Sequence, residues 1–138
     1  MSTYRHAVLR TNAIALGVAS SGALIADILG VASGAGPQGP LLTAAPQAAV
    51  GFIEAHGLAL LFAVLLWRAP LQRSWHAVAL AVHALLGGCN LAFWSFFVVA
   101  DLVIVGWVTT LMHGLFVVLH ACALVQAAHE SRHSPQGA

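Results

Sequence analysis

The sequence predicts an all-α integral membrane protein, a four-transmembrane-helix bundle with both termini inside. Three observations carry that prediction. Hydrophobic residues fill 60% of the 138 positions, charged residues fill 7%, and mean hydropathy is +0.91, a balance no soluble domain of this size keeps on its surface. The apolar residues gather into four stretches, each long enough for the roughly 20 residues a helix needs to cross the hydrocarbon core. All five basic residues are arginines, and all fall on one side of this plan.

The first stretch covers about 7–33. Arg5 and Arg10 flank its start and small residues follow it, as in a secretory signal, but its length, its internal Asp27 and the start at Met1 favour a retained helix. Along it Ala13, Gly17 and Ser21, then Gly22, Ala26 and Gly30, make small-residue steps that suit close helix contact within the bundle or in a homodimer. The segment from Gly34 to Gln47 carries no charge and holds Gly34, Gly36, Pro37, Gly39, Pro40 and Pro46. That composition breaks helix and strand alike, so an outer loop at the membrane surface is expected. The second, third and fourth helices are expected at about 48–67, 76–100 and 102–128, with 129–138 a short, frayed cytoplasmic tail of the single domain 1–138.

Orientation follows from the arginines. Arg5 and Arg10 precede the first helix, Arg68 and Arg73 bracket the second connection, and Arg132 follows the fourth helix; by the positive-inside rule these segments are cytoplasmic. Tyr4, Trp67 and Trp75 then belong to the inner interface and Trp107 to the outer one. Asp27, Glu54 and Asp101 map to the outer half and only Glu130 to the inner side. The expected location is the cell inner (cytoplasmic) membrane, multi-pass. A net charge of +1 reads as a topology signal, with lipid as the partner and no nucleic acid.

Chemistry is concentrated in four histidines within the apolar stretches, His56, His83, His113 and His120. An ionisable residue at membrane depth is costly and marks a functional site by default. The tripeptide His-Gly-Leu occurs at 56–58 and again at 113–115, in helices that run the same way, so His56 and His113 are expected at matched depth. This echo suggests two related hairpins, a parallel pseudo-repeat. His83 and His120 form a second level, about 10 Å from the inner ends at 1.5 Å per residue. Seven residues return nearly to the same angle on a helix, so His113 shares a face with His120, and His76 with His83 and Asn90, Gly87 lying beside them. Glu54 and His56 stand about 200° apart and cannot serve one site from an ideal helix. A carboxyl at Glu54 must be neutralised, paired or hydrated.

Three functional readings follow. The first is a membrane-embedded electron-transfer protein binding haem b, with His56 and His113 as axial ligands and His83 and His120 as a second level; Gly57 and Gly114 would make room for the macrocycle. Levels about 10.5 Å apart by helix rise favour one haem over two. Its architecture is similar to that of membrane b-type cytochromes at the level of fold, without a matched motif. The second is a proton or divalent-cation relay or transporter. Asp27, Glu54, Asn90 and Asp101 would form its path, the four histidines would act as relay or as ligands for a zinc or copper ion, and His76, His129 and His133 would stand at the exit. No His-x3-His spacing makes a metal specific. The third is a non-enzymatic bundle binding lipid, quinone, a redox partner or a partner subunit, in which the histidines simply bond across helices.

Several chemistries are excluded. Without lysine there is neither a retinal Schiff base nor a lysine nucleophile, and no P-loop or Gly-x-Ser-x-Gly pattern occurs. Cys89 and Cys122 belong to different depths of the third and fourth helices, so no disulfide is expected, and both read as small buried hydrophobes. His6, His129 and His133 are expected to be solvated.

Overall fold

The computed structural model describes residues 2–133 of the chain. Tail residues 134–138 and the side chain of His133 lie outside the described residues. Six helices account for the described fold: α1 Ser2–Ser33, α2 Gly39–Ala44, α3 Ala48–Arg68, α4 Arg73–Ala92, α5 Trp94–Val99 and α6 Val103–His133. Four of them, α1, α3, α4 and α6, are long and apolar enough to cross a membrane.

Local chemistry explains the breaks. α1 ends where Gly34 takes φ +70 and returns its N–H to the Gly30 carbonyl at 2.9 Å, a left-handed stop that costs glycine nothing. α3 ends because Pro70 holds Ala69 extended, at φ −60 and ψ 131. The glycine- and proline-rich connection, expected to hold no helix, contains the short α2, with a proline in its first turn where a missing N–H costs no helical bond. Leu42 of α2 is buried. A Cβ at Gly30 would meet that leucine at 2.9 Å, so glycine lets α2 settle on α1.

The third predicted helix, 76–100, is two helices. It starts earlier, at Arg73, and breaks at Phe93 with φ −107 and ψ 32. The break brings the Phe97 ring onto the α6 backbone at Gly106, where even a Cβ would lie 2.7 Å from the ring. Trp94 packs edge-on to Trp107, centroids 4.8 Å apart. α6 also runs past the predicted end at 128, to His133. Far from fraying at Glu130, it is tied there to Arg5 of α1 by a 3.0 Å ion pair.

Packing is strongest within two antiparallel pairs, α1 with α3 and α4 with α6, and α1 also touches α6. Gly17 meets Ala63 across the first pair, where an added Cβ would find the Ala63 methyl at 3.6 Å. Both cysteines are free and, contrary to the expected burial, exposed on the apolar exterior of the bundle. The distribution of polarity is inverted relative to a water-soluble bundle. Val18, Ile104 and Val99 are 71%, 80% and 88% exposed, while Asn12, Asp27, His76, His83 and His120 are completely buried. An apolar exterior around a polar seam is stable in hydrocarbon, where each buried polar group must find an internal partner.

Candidate functional site

The seam begins with helical spacing. Arg5, Leu9, Asn12, Leu16, Ser20 and Asp27 are the inward positions of α1, and His113, Phe116, His120 and Ala123 those of α6, steps of three, four and seven that keep one face. His76, Ala79 and His83 do the same on α4. The polar residues on these faces meet at the junction of the two helix pairs.

They form one hydrogen-bonded chain of four imidazoles with an amide at its centre. His113 Nδ1 lies 2.8 Å from His83 Nδ1, and His83 Nε2 lies 2.9 Å from Asn12 Oδ1. Asn12 Nδ2 lies 2.7 Å from His120 Nε2, and His120 Nδ1 lies 3.0 Å from His76 Nδ1. Phe116 stacks on His83 at 5.1 Å between centroids and seals the chain on one side. Gly87 permits the α4 to α6 approach, since a Cβ there would come within 3.1 Å of His113 Cβ.

The amide fixes every proton in the neutral chain, because its nitrogen can only donate and its oxygen can only accept. Asn12 Nδ2–H donates to His120 Nε2, so His120 carries its proton on Nδ1 and donates to His76 Nδ1. His76 is left with Nε2–H, a buried donor with no partner. On the other side His83 Nε2–H donates to Asn12 Oδ1, so His83 Nδ1 accepts from His113 Nδ1–H. His113 keeps a lone pair on Nε2. All donors therefore point one way, from His113 towards His76.

The two ends have different surroundings. His76 lies in the first turn of α4, and at the same end of the seam Arg5 of α1 holds Glu130 of α6. His113, about 15 Å along α6 from its start at 1.5 Å per residue, lines a cavity of about 610 Å³ together with His56, Asn90, Gln38 and Phe52. His56 Nδ1 is 2.5 Å from Asp27 Oδ2, and Phe52 stacks beside its ring. The second Asp27 oxygen is buried without a partner.

Sequence reasoning placed several of these residues and misplaced others. His83, His113, His120 and His76 share the seam, and Asn90 reaches Thr109 Oγ1 at 3.1 Å beside the cavity. His56 joins Asp27 and the cavity instead of bonding to His113 across the core. Glu54 is exposed, as its phase against His56 requires, and Asp101 is exposed at a turn with φ 56. Neither joins the hydrogen-bonded chain. His129 and His6 are exposed, His6 accepting from Arg10. Asn12, the centre of the chain, was missed; the signal available was an amide near the start of the first apolar run, at the inner-half depth of His83 and His120.

The second predicted haem level, His83 and His120, has no ring nitrogen to spare. His83 and His120 each engage both ring nitrogens, so in this arrangement neither has a lone pair for iron. His56 and His113 each leave Nε2 unengaged beside one cavity, and a carboxylate on the opposite nitrogen, as at His56, orients a ligating imidazole. For zinc or copper, among the described residues no group of three or more His, Cys, Asp or Glu side chains is placed to hold an ion.

No protein-family model, curated protein or solved structure matches the chain.

Proposed function

We propose that the protein is a membrane-embedded proton relay. The observation that carries this reading is the unbroken chain His113, His83, Asn12, His120, His76, whose donors all point one way. A proton bound at His113 Nε2 releases the Nδ1 proton to His83 Nδ1. His83 passes its Nε2 proton to Asn12 Oδ1 as Asn12 Nδ2 gives a proton to His120 Nε2, and His120 passes its Nδ1 proton to His76. His76 then releases its Nε2 proton towards the Arg5–Glu130 pair, where a water can take it. One passage leaves every ring in the opposite tautomer and Asn12 in the imidic-acid form, so the amide step is the slowest and the chain must reset before the next proton. With the arginine-bearing end cytoplasmic, the direction is inward. The chain of imidazoles lies along the junction of the two helix pairs.

The test is proton flux. Purified protein in liposomes with a lumenal pH dye, under a potassium gradient set by valinomycin, should take up protons faster than protein-free liposomes. His83→Leu should return flux to the protein-free level while helix content persists. Native protein indistinguishable from empty liposomes overturns the proposal.

A second reading, haem b held by His56 and His113, is favoured by their two open Nε2 atoms beside one cavity and by the Asp27 carboxylate behind His56. Bound haem would supply one-electron chemistry, and the chain's own residues would orient its ligands and exclude water. A Soret band in protein expressed with ample haem, lost in both His56→Ala and His113→Ala, would establish it.

A further inference from the structure

The cavity at the His113 end of the chain is the strongest unassigned feature of the molecule. Its volume of about 610 Å³ falls within the roughly 300–1,000 Å³ of small-molecule sites. Its walls are apolar and aromatic, Phe52, Phe96 and Phe97 among them, which suits a flat ring. It shares Phe93, Phe96, Leu102 and Val105 with a neighbouring cleft of about 1150 Å³ along α5, and Phe93 is 66% exposed on the outer surface of the bundle. A ligand dissolved in lipid therefore has a lateral way in.

The polar groups around this space are biased towards acceptors. His113 Nε2 carries a lone pair, because its single ring proton is committed to His83. Gln38 also lines the cavity; it is only 9% exposed, and its Oε1 is buried with no partner. His56, whose Nδ1 meets Asp27 Oδ2, lines the same space. A buried acceptor without a donor is costly, so the complementary occupant brings O–H groups on an apolar ring.

We infer that this cavity binds a lipid-soluble quinol, one of whose hydroxyls donates to His113 and the other to Gln38. The assignment rests on the relay reading in one respect, the tautomer order that leaves His113 Nε2 as an acceptor. It gives the relay an occupant at its mouth: the hydroxyl proton of the bound ring faces the first imidazole. Binding alone is assigned.

The probes are tetramethylhydroquinone, its dimethyl ether and tetramethylbenzoquinone, titrated anaerobically into the full chain in lipid nanodiscs by calorimetry. The hydroquinone should bind at least about tenfold more tightly than the ether and the quinone, since a site built to accept a hydrogen bond rejects analogues lacking the donor. Gln38→Leu should narrow that ratio, and Ala59→Phe, which fills the cavity, should abolish binding of all three. Equal binding of the three probes, or binding of none, overturns the assignment, and the native protein decides this even if Gln38→Leu does not fold. Haem at the site would announce itself by a Soret band and by exclusion of every probe, which also overturns it. Failures of the two proposals separate cleanly. Flux without discrimination among the probes removes the ligand and leaves the relay, whereas discrimination in a protein without flux removes the relay and leaves the site.

Discussion

Asn12 Oδ1 accepts a hydrogen bond from His83 Nε2 at 2.9 Å, which joins the first long helix to the third through a side chain that cannot titrate. The amide therefore sets the direction of the whole chain without contributing a charge. Replacing it with leucine leaves His83 Nε2 and His120 Nε2 without partners, at about 1–3 kcal/mol for each unsatisfied buried group. Asn12→Leu should lower resistance to unfolding in detergent by that order and bring flux to the protein-free level. Native stability and native flux in a folded Asn12→Leu protein would remove the amide from the mechanism.

The proton positions can be read directly. Imidazole ¹⁵N shifts of labelled protein at neutral pH should report Nδ1–H for His113 and His120 and Nε2–H for His83 and His76, the only neutral pattern compatible with the observed orientation of the Asn12 amide. An Nδ1–H tautomer at His83 would reverse the direction of the chain.

Glycines should divide by what surrounds them. Gly106→Ala places a methyl within 2.7 Å of the Phe97 ring and should destabilise by about 1–3 kcal/mol, as overpacking does. Gly57→Ala and Gly114→Ala meet nothing within 4 Å and should be neutral or stabilising by up to about 1 kcal/mol from helix propensity. Thermal unfolding of the three variants in one detergent gives the order.

Glu54 lies on the exposed face of α3, outside the hydrogen-bonded chain of imidazoles. Glu54→Gln should leave both fold and proton flux unchanged in reconstituted protein. A drop in flux would bring Glu54 into the path through some arrangement other than this one.

Topology is checked by cysteine labelling in a background lacking Cys89 and Cys122. A cysteine at exposed Ala35 should react with an impermeant maleimide added outside spheroplasts. One at exposed Gln72 should react only after permeabilisation if Arg68 and Arg73 hold that connection on the cytoplasmic side, as the positive-inside rule predicts. The opposite pattern reverses the orientation and with it the inward direction of the relay.

The sequence by itself determined the class of protein and the parts of the site that depend on one helix at a time. Four apolar runs and one-sided arginines need only length and composition, and the shared face of His113 and His120, or of His76 and His83, needs only the 3.6-residue turn. The opposition of Glu54 and His56 follows from the same turn. Tertiary structure decided which helices meet and which atoms touch. Depth matching pairs His56 with His113, but helix pairing brings His56 to Asp27 on α1 and His113 to His83 on α4. Asn12 acquires its place only when α1 is laid against α4 and α6, because an isolated amide has no direction until two partners claim its oxygen and its nitrogen. The break at Phe93 and the cavity beside it likewise arise between helices, from Phe97 settling on Gly106. Hydropathy and periodicity describe how a chain meets its solvent and its own turns. The order of protons along a buried chain is set by angles between side chains far apart in sequence, and those exist only once the bundle has formed.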